Sequence, residues 1–229
     1  MAVHDKLNKL VYATDTHTTL TDTLDASYSD LAAITNPESD AYFMAGQTRS
    51  TTEKLNYSTE NFSMLTDDFT DTNDESRGMS AGITHGYNIC GAGHSTTEKI
   101  TYSVDSTVLA SDAELGGNLS VHSCGVNDAT HGYVAGGSGY SDKAYKMTFD
   151  TDTMVATTDA NLVVGRHQHS GCGDGSVAGY WMGGRTSSNN TDSIEKLTFA
   201  DSTTVAWTDG TLSVANAFSG DGGASDFNY

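Results

Sequence analysis

Basic residues are scarce. Eleven Lys and Arg stand against 30 Asp and Glu, a net charge of −19, so the surface potential is negative almost everywhere and nucleic acid is a poor candidate partner. Solubility accounts for that charge without a specific cation site. Cysteine is rare too. Cys90, Cys124 and Cys172 are odd in number and lie one per repeat in or beside apolar stretches, which points to buried free thiols rather than a disulfide framework. No apolar run approaches a membrane span, so no membrane insertion is expected. The opening stretch MAVHDKLNKLVYATDT lacks the apolar core and cleavage site of a secretory signal, and synthesis in a reducing cytoplasm is expected. Proline occurs once, at Pro37. Chain reversals therefore fall to Gly and to Ser, Thr, Asp and Asn, whose side chains bond turn backbone, as suits an all-β chain of many short strands.

What the sequence does contain is one unit, repeated. Gly179–Phe199, GYWMGGRTSSNNTDSIEKLTF, shows it most fully: a Gly-aromatic strand, a glycine pair, a polar loop, then a strand around Lys-Leu-x-Phe. Its aromatic anchors are Tyr42, Tyr87, Tyr133, Tyr180 and Phe227, stepping by 45, 46, 47 and 47 residues. That period marks solenoids or propeller blades. A Lys-apolar-x-aromatic signature gives the same count, at Lys9–Tyr12, Lys54–Tyr57, Lys99–Tyr102, Lys146–Phe149 and Lys196–Phe199. A further alternating strand follows each copy, and then an Asp (Asp22, Asp67, Asp112, Asp159, Asp209) expected to accept backbone N–H bonds within its turn.

A small-residue segment completes the unit, beginning at Leu31, Met79, His122, His169 and Phe218. Small side chains suit the crowded centre of a radial array, so these five residues are expected to line a central channel. Four antiparallel strands per repeat predict a single five-bladed β-propeller over residues 1–229. Residues 1–25 supply only two outer strands, and the C-terminal stretch supplies the inner ones. Strands from the two ends are thus expected to share the last blade and close the ring.

Gly132-Tyr133-Val134-Ala135-Gly136-Gly137 and Gly179-Tyr180-Trp181-Met182-Gly183-Gly184 resemble the kelch-type repeat. Two copies depart from it, with Ala45-Gly46 and Gly91-Ala92 in place of the glycine pair. The Thr-rich forms Glu53–Ser58 and Glu98–Ser103 resemble the kelch-like repeats that tailed bacteriophages of aquatic bacteria encode in virion-associated proteins. The resemblance implies a propeller, made in the host cytoplasm and located in the virion, whose partners are other virion proteins and, for a tail or fibre component, a host cell-surface glycan or receptor. Size and blade count are also similar to the tachylectin type of propeller lectin, although none of that family's motifs is present.

Chemistry has little to stand on. His122 and His169 occupy equivalent places, with His167 two residues before His169, but zinc needs three or four converging ligands, so packing or hydrogen bonding is the favoured role and no metal or other cofactor is expected. His85 and His131 both precede Gly-Tyr, which is best read as a turn with a backbone hydrogen bond. The carboxylates follow the repeat or crowd into Asp67–Glu75, whereas a glycosidase needs two at a set separation in an asymmetric cleft. No catalytic residue is assigned, and an enzyme is not expected. Recognition belongs to the loops between the Gly-aromatic and Lys strands, where Arg49, His94, Tyr140, Arg185, Asn189 and Asn190 lie. The expectation is a non-enzymatic virion structural protein (head decoration, tail or fibre component), with a carbohydrate-binding lectin as the alternative.

Overall fold

A computed structural model describes residues 5–11, 13–25, 32–46, 49–70, 77–89, 95–115 and 124–215, with backbone alone at 45, 46, 49 and 124. Strands β1 (Asn8–Val11) and β2 (Thr16–Thr19) form a hairpin. Four antiparallel sheets of four strands follow. The first holds β3 (Ala32–Asn36), β4 (Asp40–Gly46), β5 (Arg49–Asn56) and β6 (Asn61–Met64), and the second β7 (Arg77–Ala81), β8 (His85–Ile89), β9 (Thr97–Thr101) and β10 (Ser106–Leu109). The third holds β11 (Cys124–Asn127), β12 (His131–Ala135), β13 (Ala144–Thr148) and β14 (Thr153–Ala156), and the fourth β15 (Ser170–Gly173), β16 (Ala178–Met182), β17 (Ile194–Thr198) and β18 (Thr203–Trp207).

Each sheet is thus built from the predicted set: small-residue strand, Gly-aromatic strand, Lys strand and outer strand. No helix occurs among the described residues, and the fold is all-β and propeller-like. The segments around Phe218 and Phe227 lie outside the described residues.

Alternation along the strands puts one apolar face of each sheet against the next sheet. Ile34 and Tyr42 of the first sheet share a core with Ile100 and Tyr102 of the second. Met79 and Tyr87 of the second pack with Met147 and Phe149 of the third, and Val126 and Tyr133 of the third with Leu197 and Phe199 of the fourth. Strands β3, β7, β11 and β15 lie successively against one another, so the small-residue strands are the inner ones, as expected. Glycine lets the sheets approach. A Cβ on Gly86 would lie 2.6 Å from Ile34 Cδ1, and one on Gly179 would lie 2.5 Å from Val126 Cγ2.

Strand register corrects the expected ring of channel residues. Met79 is opposite Tyr87, as Ile34 is opposite Tyr42, Val126 opposite Tyr133 and Cys172 opposite Tyr180. His169 stands three residues before Cys172, so it is not the counterpart of Met79. Similar-looking small residues had aligned the strands out of step. Met79 and His169 are both buried, at 3% and 0% exposure, and neither faces an open channel. Leu31, His122 and Phe218 lie outside the described residues.

One further expectation changes. The repeated Asp does not serve only its own turn. Asp22 accepts the amide of Phe62 at 2.7 Å, and Asp67 that of Thr107 at 2.9 Å, each on the outer strand of the following sheet. At Asp112 and Asp159 the backbone carbonyl does the same for Met154 and Thr204, at 3.0 Å each. The glycine pairs serve conformation as well as packing: Gly183 and Gly184 have φ of 64° and 90°, a region that side chains disfavour.

Candidate functional site

The repeated Lys and Tyr, which the sequence marked without giving them a task, build a clamp between sheets. Tyr42 Oη donates to Asp105 Oδ1 at 2.8 Å, while Lys54 Nζ reaches both oxygens of Asp105 at 3.0 and 2.9 Å. Tyr87 Oη bonds Asp152 Oδ1 at 2.5 Å, and Lys99 Nζ bonds both Asp152 oxygens at 2.9 and 3.0 Å. At the next junction Ser202 replaces the acid, with Tyr133 Oη at 2.7 Å and Lys146 Nζ at 3.1 Å. The acceptor always sits in the turn before the outer strand, with φ of 52° at Asp105, 53° at Asp152 and 55° at Ser202. Each Lys also lies above its own sheet's Tyr ring, 5.6, 5.8 and 5.5 Å from the centroid at Tyr42, Tyr87 and Tyr133.

Electrostatics follow that geometry. Burial, then the hydrogen bond to Asp105 or Asp152, raises the pKa of Tyr42 and Tyr87. Burial works against ionisation of Asp152, yet the bonds from Tyr87 and Lys99 outweigh it and hold this carboxyl below its ordinary range.

A second recurrent contact uses the Glu that precedes Lys54, Lys99 and Lys196. Glu53 accepts the Asp25 amide at 2.8 Å, Glu98 the Thr70 amide at 2.7 Å, and Glu195 the amides of Val163 and Val164 at 2.7 and 3.1 Å. Glu195 also pairs with Arg166, both side chains being almost wholly buried. The Arg166 guanidinium donates further to the carbonyls of Val164, Gly183 and Ser193. Burial lowers the pKa of Arg166, and the Glu195 carboxylate opposes that shift. A carboxylate three residues after the aromatic, and another just before the Lys, recur in the sequence and could have revealed both contacts.

Antiparallel order puts the loops 136–143 and 183–193 at the same end of the third and fourth sheets. Tyr140, with φ 58°, lays its ring 4.7 Å from that of His167. His167 in turn exchanges backbone hydrogen bonds with Arg185, at 3.0 and 2.8 Å. Thr186 Oγ1 accepts the amides of Ser188 and Asn189 at 3.3 and 3.2 Å, which ties the long loop into a fixed shape. Arg185, Asn189 and Asn190 are exposed on it. The structure therefore joins Tyr140 and Arg185 through His167, with Asn190 bridged to Arg185 and Asn189 on the same loop. Arg49 has only its backbone described, and His94 lies outside the described residues.

His169 is fully buried and neither ring nitrogen has a hydrogen-bond partner. Burial, then the charges of Arg166 and Arg77, pushes its pKa down to about 3, so it stays neutral. A Cβ on Gly136 would lie 2.5 Å from its Cε1; the ring fills space against glycine. His85 and His131 each follow a turn, the second closed by the Asp128 amide on the His131 carbonyl at 2.9 Å, and each ring Nδ1 bonds the preceding threonine hydroxyl, Thr84 at 2.7 Å and Thr130 at 2.9 Å. Among the described residues no group of three or more His, Cys, Asp or Glu could hold a metal ion, and no helix is long and apolar enough to cross a membrane.

The geometry defines a propeller-like all-β scaffold with one loop-bearing end. The chain matches no protein-family model, and no curated protein matches it.

Proposed function

We propose that this chain is a non-enzymatic structural protein of a tailed-phage particle, in head decoration, tail or fibre. In this reading it is one closed five-bladed ring over residues 1–229, with strands from both ends sharing a blade. It is a rigid module that docks other virion proteins or recognises a host surface. The observation that carries the non-enzymatic reading is how the recurrent polar groups are used: the Lys, Tyr, Asp and Glu that repeat are spent joining one sheet to the next. Variable chemistry is left to the loops, where recognition on rigid scaffolds usually resides. The kelch-like sequence resemblance supplies the phage setting, a fold-level analogy. Mass spectrometry of purified particles of the encoding phage should find the chain in stoichiometric amount, and particle imaging should place it. Absence from every particle would end this reading.

Carbohydrate binding is the second reading, favoured by the Tyr140 ring on one loop, packed against His167, and the exposed amides of Asn189 and Asn190 on the loop at the same end of the next sheet. Such a set can stack on a sugar and hydrogen-bond its hydroxyls. Saturable binding on a glycan array, lost in Tyr140→Ala, would favour it over a purely structural role.

A further inference from the structure

Three contacts recur from sheet to sheet, and each has one vacant place in the series. Lys9 pairs with Glu60, Lys54 with Asp105, Lys99 with Asp152 and Lys146 with Ser202. That leaves Lys196 and Tyr180 without an acceptor among the described residues, and leaves Asp15 as the turn residue that no Lys reaches. Asp15 has φ 50°, the conformation of its four counterparts. The outer-strand amides of Phe62, Thr107, Met154 and Thr204 each donate to the preceding sheet's loop. The unused members of that series are the His17 amide, which sits opposite Leu10 as Phe62 sits opposite Leu55, and the loop at Asp209.

The apolar contact has the same gap. Ile100, Met147 and Leu197 are each 0% exposed, packed against the preceding sheet, whereas Leu10 at the matching place is 52% exposed. Tyr42, Tyr87 and Tyr133 are 0% exposed under the following sheet, but Tyr180 is only half-buried. All three gaps fall on the same two elements, the fourth sheet and the β1–β2 hairpin. They are complementary halves of one interface.

We propose that the β1–β2 turn docks on the fourth sheet of the same chain, with the Asp15 carboxylate accepting from Tyr180 Oη and Lys196 Nζ and Leu10 covering the Tyr180 ring. Lys196 is already placed for this, 6.0 Å from the Tyr180 centroid and 5.0 Å from that of Trp207. The latch rests on the closed-ring reading and names the residues that would fasten it.

The test uses the full chain with Cys90→Ala, Cys124→Ala and Cys172→Ala, carrying Asp15→Cys and Lys196→Cys, treated with a short bismaleimide at low protein concentration. A cross-linked product with the mass of one chain is expected. A product of two chains would overturn the proposal in favour of a second copy as occupant. No product would also overturn it, and amide exchange of β1 in the unmodified protein then separates the two ideas: slow exchange leaves the ring standing without this latch, fast exchange removes both. Charge exchange gives an independent check. Asp15→Lys and Lys196→Asp singly should speed β1 exchange about tenfold, equivalent to about 1.4 kcal/mol, and the double variant should restore it. Singles without effect, or a double that is not restored, would count against the latch.

Discussion

Lys99 Nζ lies 2.9 and 3.0 Å from the two carboxylate oxygens of Asp152, a residue 53 positions further on and in the next sheet. Tyr87 shares the same acceptor, so one carboxylate fixes both the strand that bears the Lys and the strand that bears the Tyr.

Asp152→Asn keeps the size and tolerates the left-handed backbone but removes the charge. It should lower stability by about 1–2 kcal/mol, the range for charge-assisted bonds at a partly exposed site, measured by urea unfolding at pH 7. The folded-state pKa of Asp152 is depressed, so its contribution is complete above the unfolded carboxylate pKa of about 4 and is lost as pH falls through the lower folded value. The variant should therefore show a shallower loss of stability in that acid range.

Ser202→Asp should act in the opposite sense. Tyr133 and Lys146 already reach the Ser202 hydroxyl, and Asp at three equivalent turns, Asp15, Asp105 and Asp152, has nearly the same φ. A gain of roughly 0.5–1 kcal/mol is expected for a partly exposed pair, diminishing with added salt. Thermal unfolding at two ionic strengths checks both statements.

His169 adds a separate pH dependence. Its imidazole is neutral when folded, with the pKa pushed down to about 3, while an unfolded His titrates near about 6.5. Its favourable share of stability is full above that value and is lost as pH falls from there through the folded pKa, because the unfolded chain takes up the proton first. His169→Met should flatten the stability profile between about pH 6 and pH 4. An unchanged slope in urea titrations across that interval would contradict the buried neutral ring.

Arg166→Met should be the most damaging of these substitutions. It leaves the Glu195 carboxylate buried without its cation, a change that costs about 3–5 kcal/mol in buried pairs. Glu195→Gln in the same background should recover part of the loss, since an amide oxygen still accepts from Val163 and Val164. Equilibrium unfolding of the single and double variants reads this directly.

Periodicity made the strands legible, because apolar alternation and the Lys and Tyr anchors recur at nearly fixed intervals. Register within the inner strands was not, since runs such as Met79-Ser80-Ala81 and His169-Ser170-Gly171 look alike, and only pairing with Tyr87 or Tyr180 distinguishes them. The inter-sheet roles of Asp22 and Asp67 were hidden for a related reason. A carboxylate that bonds its own turn and one that reaches 40 residues onward, as Asp22 does to Phe62, have the same local sequence. For the loop surface, the sequence named Tyr140 and Arg185 but not His167, which only the fold brings between them.

Every recurrent contact runs the same way: Lys and Tyr point forward to the following turn, and outer-strand amides point back to the preceding loop. A sheet therefore carries one kind of face towards its predecessor and another towards its successor, much like a building block with a stud side and a socket side. The second and third sheets carry the same Lys, Tyr and turn Asp for these contacts, so that set leaves the choice of neighbour to covalent order. Such a body can grow by tandem duplication without redesigning a junction, and its individual loops are free to diverge while the joints stay interchangeable.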